Sequence, residues 1–218
     1  MRHVPHVMLP QPWQGQAITL PESTLHHLRD VLRLRSGARV SYTDGEGRVG
    51  EGTLEAGVVV RSGEVAVPRP EMRLTVAVAP PRSVERTRFL VEKLGELGAD
   101  RLLWLHTHHG HARLPNSERV RSWARSALEQ SRGAWLMETH DGLVESSELE
   151  GTILVADPSG PPLRQVAGDV TLAVGPEGGL DAGEVRGTPW SLGPRILRVE
   201  TAAIVGAALL RMKHHAEG

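Results

Sequence analysis

The residues best suited to chemistry cluster toward the carboxyl end of the 218-residue chain. In Val170–Glu184, VTLAVGPEGGLDAGE, an apolar run leads directly into Gly175-Pro176-Glu177-Gly178-Gly179, and Asp181 can cap a short helix. Glycines there let backbone N–H and C=O groups meet a ligand with no Cβ between them. The loop lacks the Lys-Ser/Thr of a phosphate loop and the G-x-G-x-x-G of a dinucleotide fingerprint. An ordinary tight turn is the plain alternative. A second stretch, Ser191–Ala203, SLGPRILRVETAA, places Gly193 before an apolar helix, with Arg198 and Glu200 at the junction. A charged pair at that point is costly unless partnered or functional. An ion pair capping the helix explains it equally well.

Two further groups are weaker. His106–His111, HTHHGH, follows the strand-like LLWL and approaches a hydrolase metal motif, except that Gly110 stands where an aspartate belongs. A solvated loop is the plainer reading, and no metal is expected. Arg121, Arg125 and, if the helix continues, Arg132 share one face of the helix read over Glu118–Ser131. They can neutralise phosphates or simply face water. Near the amino terminus, Arg29, Arg33, Arg35 and Arg39 form the densest positive cluster, opposed by Asp30.

Two kinds of element must position these groups. Up to residue 67 the pattern is of short strands (Gln16–Leu20, Ala38–Thr43, Arg48–Leu54) around a helix, Glu22–Leu32, with Leu25, Leu28, Val31 and Leu32 on one face. Asp44-Gly45 marks a hairpin, and the whole suggests a small β-barrel. Pro68 and Pro70 mark a linker. From residue 72, strands (Arg73–Ala79, Arg101–His106, Thr152–Ala156, Val170–Val174 and one ending near Arg198) alternate with helices (Val84–Leu97, Glu118–Ser131, Glu200–Lys213). That rhythm predicts an α/β domain with a mostly parallel sheet. With no cysteine, disulfides, thiolate metal sites and cysteine nucleophiles are excluded. The net charge of −1 announces no nucleic-acid partner, so any such surface has to be local. The amino terminus has no apolar signal segment, and Ala202–Leu210 is about half a membrane span, so a cytoplasmic, membrane-free protein is expected.

Taken together, GPEGG followed by LG-x-RILR-x-ETA resembles the ribosomal RNA small subunit methyltransferase E family of the SPOUT superfamily. Lys93 with Glu96-Leu97-Gly98 is similar to the family's K-x-x-ELG helix end, Glu129–Arg132 to its EQSGR, and His27–Leu34 to its H-x-x-x-VLRL. The chain departs from the pattern where EQSRG lacks a glycine before Arg132, where a later proline is missing, and where histidines replace a Ser/Arg pair after His106. Arg113 stands as the replacement there. The resemblance implies a PUA-like RNA-binding barrel over residues 1–69 and a SPOUT methyltransferase domain with a C-terminal trefoil knot over 70–218. It implies a homodimer that transfers a methyl group from S-adenosylmethionine to N3 of a uridine in 16S ribosomal RNA, free or within the small subunit. By the same resemblance Val174, Gly175, Gly178, Leu192, Gly193, Ile196 and Leu197 bind the cofactor; the amino-terminal charge cluster makes Arg29, Arg33 and Arg35 candidate RNA contacts, with Arg113 and Arg132 beside them.

Uridine N3 must lose its imide proton, and the developing charge spreads over the flanking carbonyl oxygens. Arg198 is the candidate cation for those oxygens. Glu200 either accepts the proton or orients Arg198. The rival expectations are a non-catalytic RNA-binding protein and a metal-dependent hydrolase using His106–His111.

Overall fold

The amino-terminal sheet is built by side chains that alternate between a closed apolar cluster and water. Its strands are His6–Met8 (β1), Ala17–Thr19 (β2), Arg39–Thr43 (β3), Arg48–Glu55 (β4) and Val58–Ala66 (β5), in the order β1-β3-β4-β5-β2. Val40, Tyr42, Leu54 and Val59 are fully enclosed between them. These assignments come from a computed structural model, which describes residues 4–110, 113–162 and 166–216. The β3–β4 hairpin turns where expected: Asp44 Oδ1 accepts from the amides of Glu46 (2.7 Å) and Arg48 (3.0 Å), and Gly45 and Gly47 take positive φ. Among the described residues β1 and β2 are edge strands, so the sheet is a curled half-barrel.

The helix of this unit also departs from expectation. Glu22–His26 (α1) widens into a π turn over His27–Val31. The extra residue per turn rotates the succeeding side chains away from the core. Leu28 is fully buried, but Val31 and Leu32 are turned out to water. A distant segment completes the unit, which comprises Met1–Arg69 together with Leu128–Leu136. The Met8 amide donates to Glu129 Oε1 (2.9 Å), the Leu136 amide to the Gly45 carbonyl (2.8 Å) and the Trp135 indole to the Val67 carbonyl (3.1 Å). His6 lies between Ser41 Oγ (2.9 Å) and the Gly133 carbonyl (3.2 Å), and burial pushes its pKa below the usual 6.5.

The second unit, Pro70–Ala127 with Met137–Gly218, carries Leu74–Val78 (β6), Arg101–Leu105 (β7), Glu138–Val144 (β8), Thr152–Ala156 (β9), Val170–Val174 (β10) and Thr188–Trp190 (β11). Their order is β11-β9-β10-β6-β7-β8, and every pairing is parallel. All five residues of β10 are buried, as a strand covered on both faces requires. Val84–Glu96 (α2) starts at Ser83, whose hydroxyl accepts from the Arg86 amide, and stops before Gly98 at φ 73°. Ser117–Ser131 (α3) ends because Arg132 turns left-handed at φ 57°. Arg132 therefore leaves the face it would share with Arg121 and Arg125. Its guanidinium donates to the Val4 carbonyl, while Arg121 pairs with Asp141.

Val199–Ala216 (α4) lies against β10 and β6 through small residues. A Cβ on Gly206 would sit 2.5 Å from Leu172 Cδ2, and Ala203 and Ala207 are fully buried. The strand expected near Arg198 instead lies at Thr188–Trp190, leaving Ser191–Arg198 as an irregular approach to α4. Near its other end α4 is held by Arg211, which donates to Asp100 Oδ2 at 2.6 Å and to the Met72 carbonyl at 2.9 Å. Asp100 Oδ2 also takes the Leu74 amide at 2.8 Å. Asp100→Ala removes an acceptor from both donors and leaves a mostly enclosed guanidinium without its carboxylate. The expected cost is about 3 kcal/mol, read as a lower urea midpoint at unchanged slope. A loss below about 0.5 kcal/mol, the level of ordinary surface changes, would show that this pair does not anchor α4.

Candidate active site

The carboxyl ends of β9 and β10 open onto a cavity of about 530 Å3, in the range of small-molecule sites. Val174, Gly175, Gly178, Leu192, Gly193, Ile196 and Leu197 all belong to its wall, with Arg198. Val155, Ala156, Val199 and Ala202 add apolar surface, and Asp157, Glu177 and Arg195 add charge. Asp157 escaped the sequence reading although it directly follows an apolar strand, the position at which open α/β sheets bind ligands. The Ser159 hydroxyl and amide donate to Asp157 at 2.7 and 2.8 Å and hold its carboxyl below the usual 3.8.

The glycines serve different purposes. A Cβ on Gly175 would meet Leu180 Cγ at 2.6 Å, so this glycine admits a neighbouring side chain of its own loop, and not a ligand directly. Gly193, at φ 130° with open space on its Cβ side, is needed for its backbone conformation.

Arg198 and Glu200 part company. Arg198 is exposed on the cavity wall, and its side chain has no hydrogen-bond or ion-pair partner among the described residues. Glu200 is 6% exposed and lies outside the cavity wall, and among the described residues its ion pair is with Arg86 rather than Arg198. Its Oε1 lies 3.6 Å from Arg86 Nε, and the Arg86 Nη1 donates to Glu177 Oε1 at 3.1 Å. Arg86, far in sequence from any motif noted above, therefore joins the GPEGG-loop carboxylate to the buried one.

The histidine segment is tied down by carboxylates. His106 Nδ1 is 3.0 Å from Glu145, while His108 Nδ1 and His109 Nε2 each lie 2.9 Å from an oxygen of Asp181. Glu184 accepts from the amides of His108 (2.6 Å) and Asp181 (2.8 Å). His108, Asp181 and Glu184 offer one ligand atom each within 4.8 Å, but these atoms are already spent on one another and on backbone. His111 lies outside the described residues. Of the basic residues singled out, Arg29, Arg33 and Arg35 are exposed and without an ion-pair partner among the described residues, and Arg113 is exposed.

Comparison with known proteins decides the kinship. Residues 68–211 match the family described as RNA methyltransferase domain. Over 82% of this chain, and 80% of its relative, the sequence is 31% identical to Ribosomal RNA small subunit methyltransferase E of Mycobacterium bovis. The chain belongs to that family. Two solved structures share the fold of these RNA methyltransferases. One, from Porphyromonas gingivalis, described as a probable rRNA-methyltransferase, has a TM-score of 0.84 at 26% identity, covering 99% of this chain and 100% of its own. The other, a Ribosomal RNA small subunit methyltransferase E from Neisseria gonorrhoeae bound to S-adenosyl methionine, has a TM-score of 0.84 at 22% identity, covering 97% and 98%. The protein thus has the α/β fold of the SPOUT RNA methyltransferases.

Asp181 joins the GPEGG loop to the loop after β7, and the clasp is pH-sensitive. The hydrogen bond that His108 donates to Asp181, with Glu184 nearby, holds His108 above its ordinary 6.5, and the two imidazoles hold Asp181 below 3.8. A raised histidine contributes stability in full below 6.5 and loses it as pH rises through the raised value. A lowered carboxylate loses its contribution as pH falls from 3.8 through the lowered value. The clasp is therefore firmest between those limits. An NMR titration should find His108 titrating above 6.5 and returning toward that value in Asp181→Asn. The same titration in both proteins would remove the clasp.

Proposed function

We propose that this protein transfers the methyl group of S-adenosylmethionine to N3 of a uridine in 16S ribosomal RNA of the small ribosomal subunit. The observation that carries this reading is the single cavity into which the strand-end glycine loop and the segment before α4 converge, in a chain of this family. The cavity fits the cofactor: an apolar slot formed by Val155, Val174, Leu192, Ile196 and Leu197 suits an adenine ring, and Asp157 supplies acceptors for hydroxyl and ammonium groups. S-adenosylmethionine supplies an electrophilic methyl on a sulfonium. The protein's part is to hold donor and acceptor in line, which accounts for much of the acceleration of such reactions. Arg198, an unpaired cation on the wall, offsets the negative charge that builds on the uracil oxygens as N3 loses its proton.

The same reading makes the amino-terminal sheet PUA-like and the RNA anchor, with Arg29, Arg33, Arg35, Arg113 and Arg132 as RNA contacts. It gives the carboxyl-terminal segment a trefoil knot and assigns the enzyme to the cytoplasm. Among the described residues no helix is long and apolar enough to cross a membrane. A homodimer through α4 is supported by the side of that helix turned from the sheet, where Leu209 and Met212 are 37% and 70% exposed. Micromolar protein should therefore scatter light as a dimer, and a monomer would remove this element of the reading.

The central test incubates the enzyme with isotopically labelled S-adenosylmethionine and 16S ribosomal RNA and identifies the labelled nucleoside by mass. N3-methyluridine is the expected product. Label on another atom, or none while the cofactor binds, rules out the assignment. Arg198→Ala should lower turnover by roughly 10²–10³-fold, the usual loss of one charge-stabilising donor, with much less effect on cofactor affinity. Unchanged turnover would leave Arg198 without a catalytic role.

A further inference from the structure

A second cavity, of about 340 Å3, adjoins the first at the GPEGG loop. Pro80 lies beyond the end of β6, His109 and Gly110 beyond β7, and Pro176, Glu177 and Gly178 beyond β10; with Arg82 these residues form its wall. Its place in the topology marks it as a binding site. The chain leaves β6 toward β7 on one side and leaves β10 toward β11 on the other, so the strand order reverses between β6 and β10. Open parallel sheets bind ligands at such a switch point. Pro176, Glu177 and Gly178 belong to both cavities, so the two adjoin along one short piece of loop.

We propose that this second cavity receives the flipped-out acceptor base, and that Glu177 is the catalytic residue that takes its imide proton. The inference rests on the uridine N3 reading above. A methyl acceptor has to lie within about 3–3.5 Å of the donor carbon, so its pocket must border the cofactor cavity. Bases that undergo chemistry are extruded and read along their Watson–Crick edge. That edge of uracil presents one N–H between two carbonyls, and the pocket offers the complement. Glu177 Oε1 is engaged by Arg86, leaving Oε2 for the N–H, and the exposed guanidinium of Arg82, unpaired among the described residues, can donate to a flanking carbonyl.

The buried groups behind the wall fit this assignment. Arg86 is shared between Glu177 and Glu200, which holds the Glu177 carboxylate in place at the pocket wall. Glu200 Oε2 has no hydrogen-bond partner, nor has Thr107 Oγ1, which lies 2.4 Å from where a Gly110 Cβ would stand. Arg86 and Glu200 are positioning residues. The imide is a weaker acid than a carboxyl group, so the proton moves to Glu177 as the N3–methyl bond forms. The bond from methyl to sulfur breaks with its electron pair going to sulfur, and half-exposed Glu177 then returns the proton to water.

The test first reads binding without the cofactor. A uridine oligoribonucleotide of the methylated sequence competes against the same strand carrying N3-methyluridine, which has no N–H to donate. Wild-type enzyme should prefer the unmethylated strand by about tenfold or more, the worth of a hydrogen bond to a charged group. Glu177→Ala should erase that preference, Arg86→Met should weaken it, and Arg86→Lys should restore most of it. Arg82→Ser should weaken binding of both strands while leaving the calorimetric affinity for S-adenosylmethionine within about threefold, less than the tenfold that 1.4 kcal/mol represents. Glu177→Gln should bind both strands and lose kcat rather than raise KM. Undiminished discrimination in Glu177→Ala, with turnover intact, overturns the proposal. Absence of any N3-methyluridine from the wild-type enzyme would instead fail the underlying reading, so the two failures are separable.

Discussion

Much of the catalytic unit hangs on how closely one helix can approach one strand. α4 lies on β10 because Gly206 has no side chain to strike Leu172 and because its neighbours on that face are alanines. Interiors are packed to crystal-like density, so a single methyl group at Gly206 would have to move a helix or a leucine. With the helix fixed at that distance, its first turn comes to rest at the carboxyl end of the sheet and brings Val199 and Ala202 to the cavity wall. Arg211 and Asp100 secure the opposite end. The cavity is thus a consequence of packing some distance from it, and its glycine loop is shaped as much by Leu180 and the Asp181 clasp as by any ligand.

Charge in this region is arranged in series. Glu200 is withdrawn from water and has a single cation beside it, and that cation reaches on to Glu177. Burying a carboxylate is expensive unless a partner is near, and Arg86 keeps that expense low while tying the loop after β10 to the beginning of α2 and of α4. Arg198 stands outside the series, facing the cavity alone.

The four inner strands of the parallel sheet were legible because buried strands read as apolar runs, and Thr152–Ala156 and Val170–Val174 match to the residue. β5 and β8 were not, because Val58–Ala66 and Glu138–Val144 carry glycines and charges that belong to an edge or a half-wet face. The π turn at His27–Val31 has no signature in composition, so the outward rotation of Val31 and Leu32 could not be foreseen. At the site, the glycine loops could be read because glycine spacing is local in sequence. Arg86 and Arg82 could not, since only the fold brings residues near 80 beside residues near 177 and 200.

The return of Leu128–Leu136 to the amino-terminal unit bears on how the chain is made. A nascent chain emerges from its amino end, and domains usually fold as units in that order. Here the unit that emerges first lacks a piece until residue 136 is free, and in the interval His6 and the Met8 amide have lost Gly133 and Glu129 as partners. Most of the first helices and strands of the catalytic unit are synthesised inside that interval. The two units are therefore interleaved in time, and a ribosome that pauses before residue 136 holds an unfinished sheet with the edge strand β1 still missing part of its support.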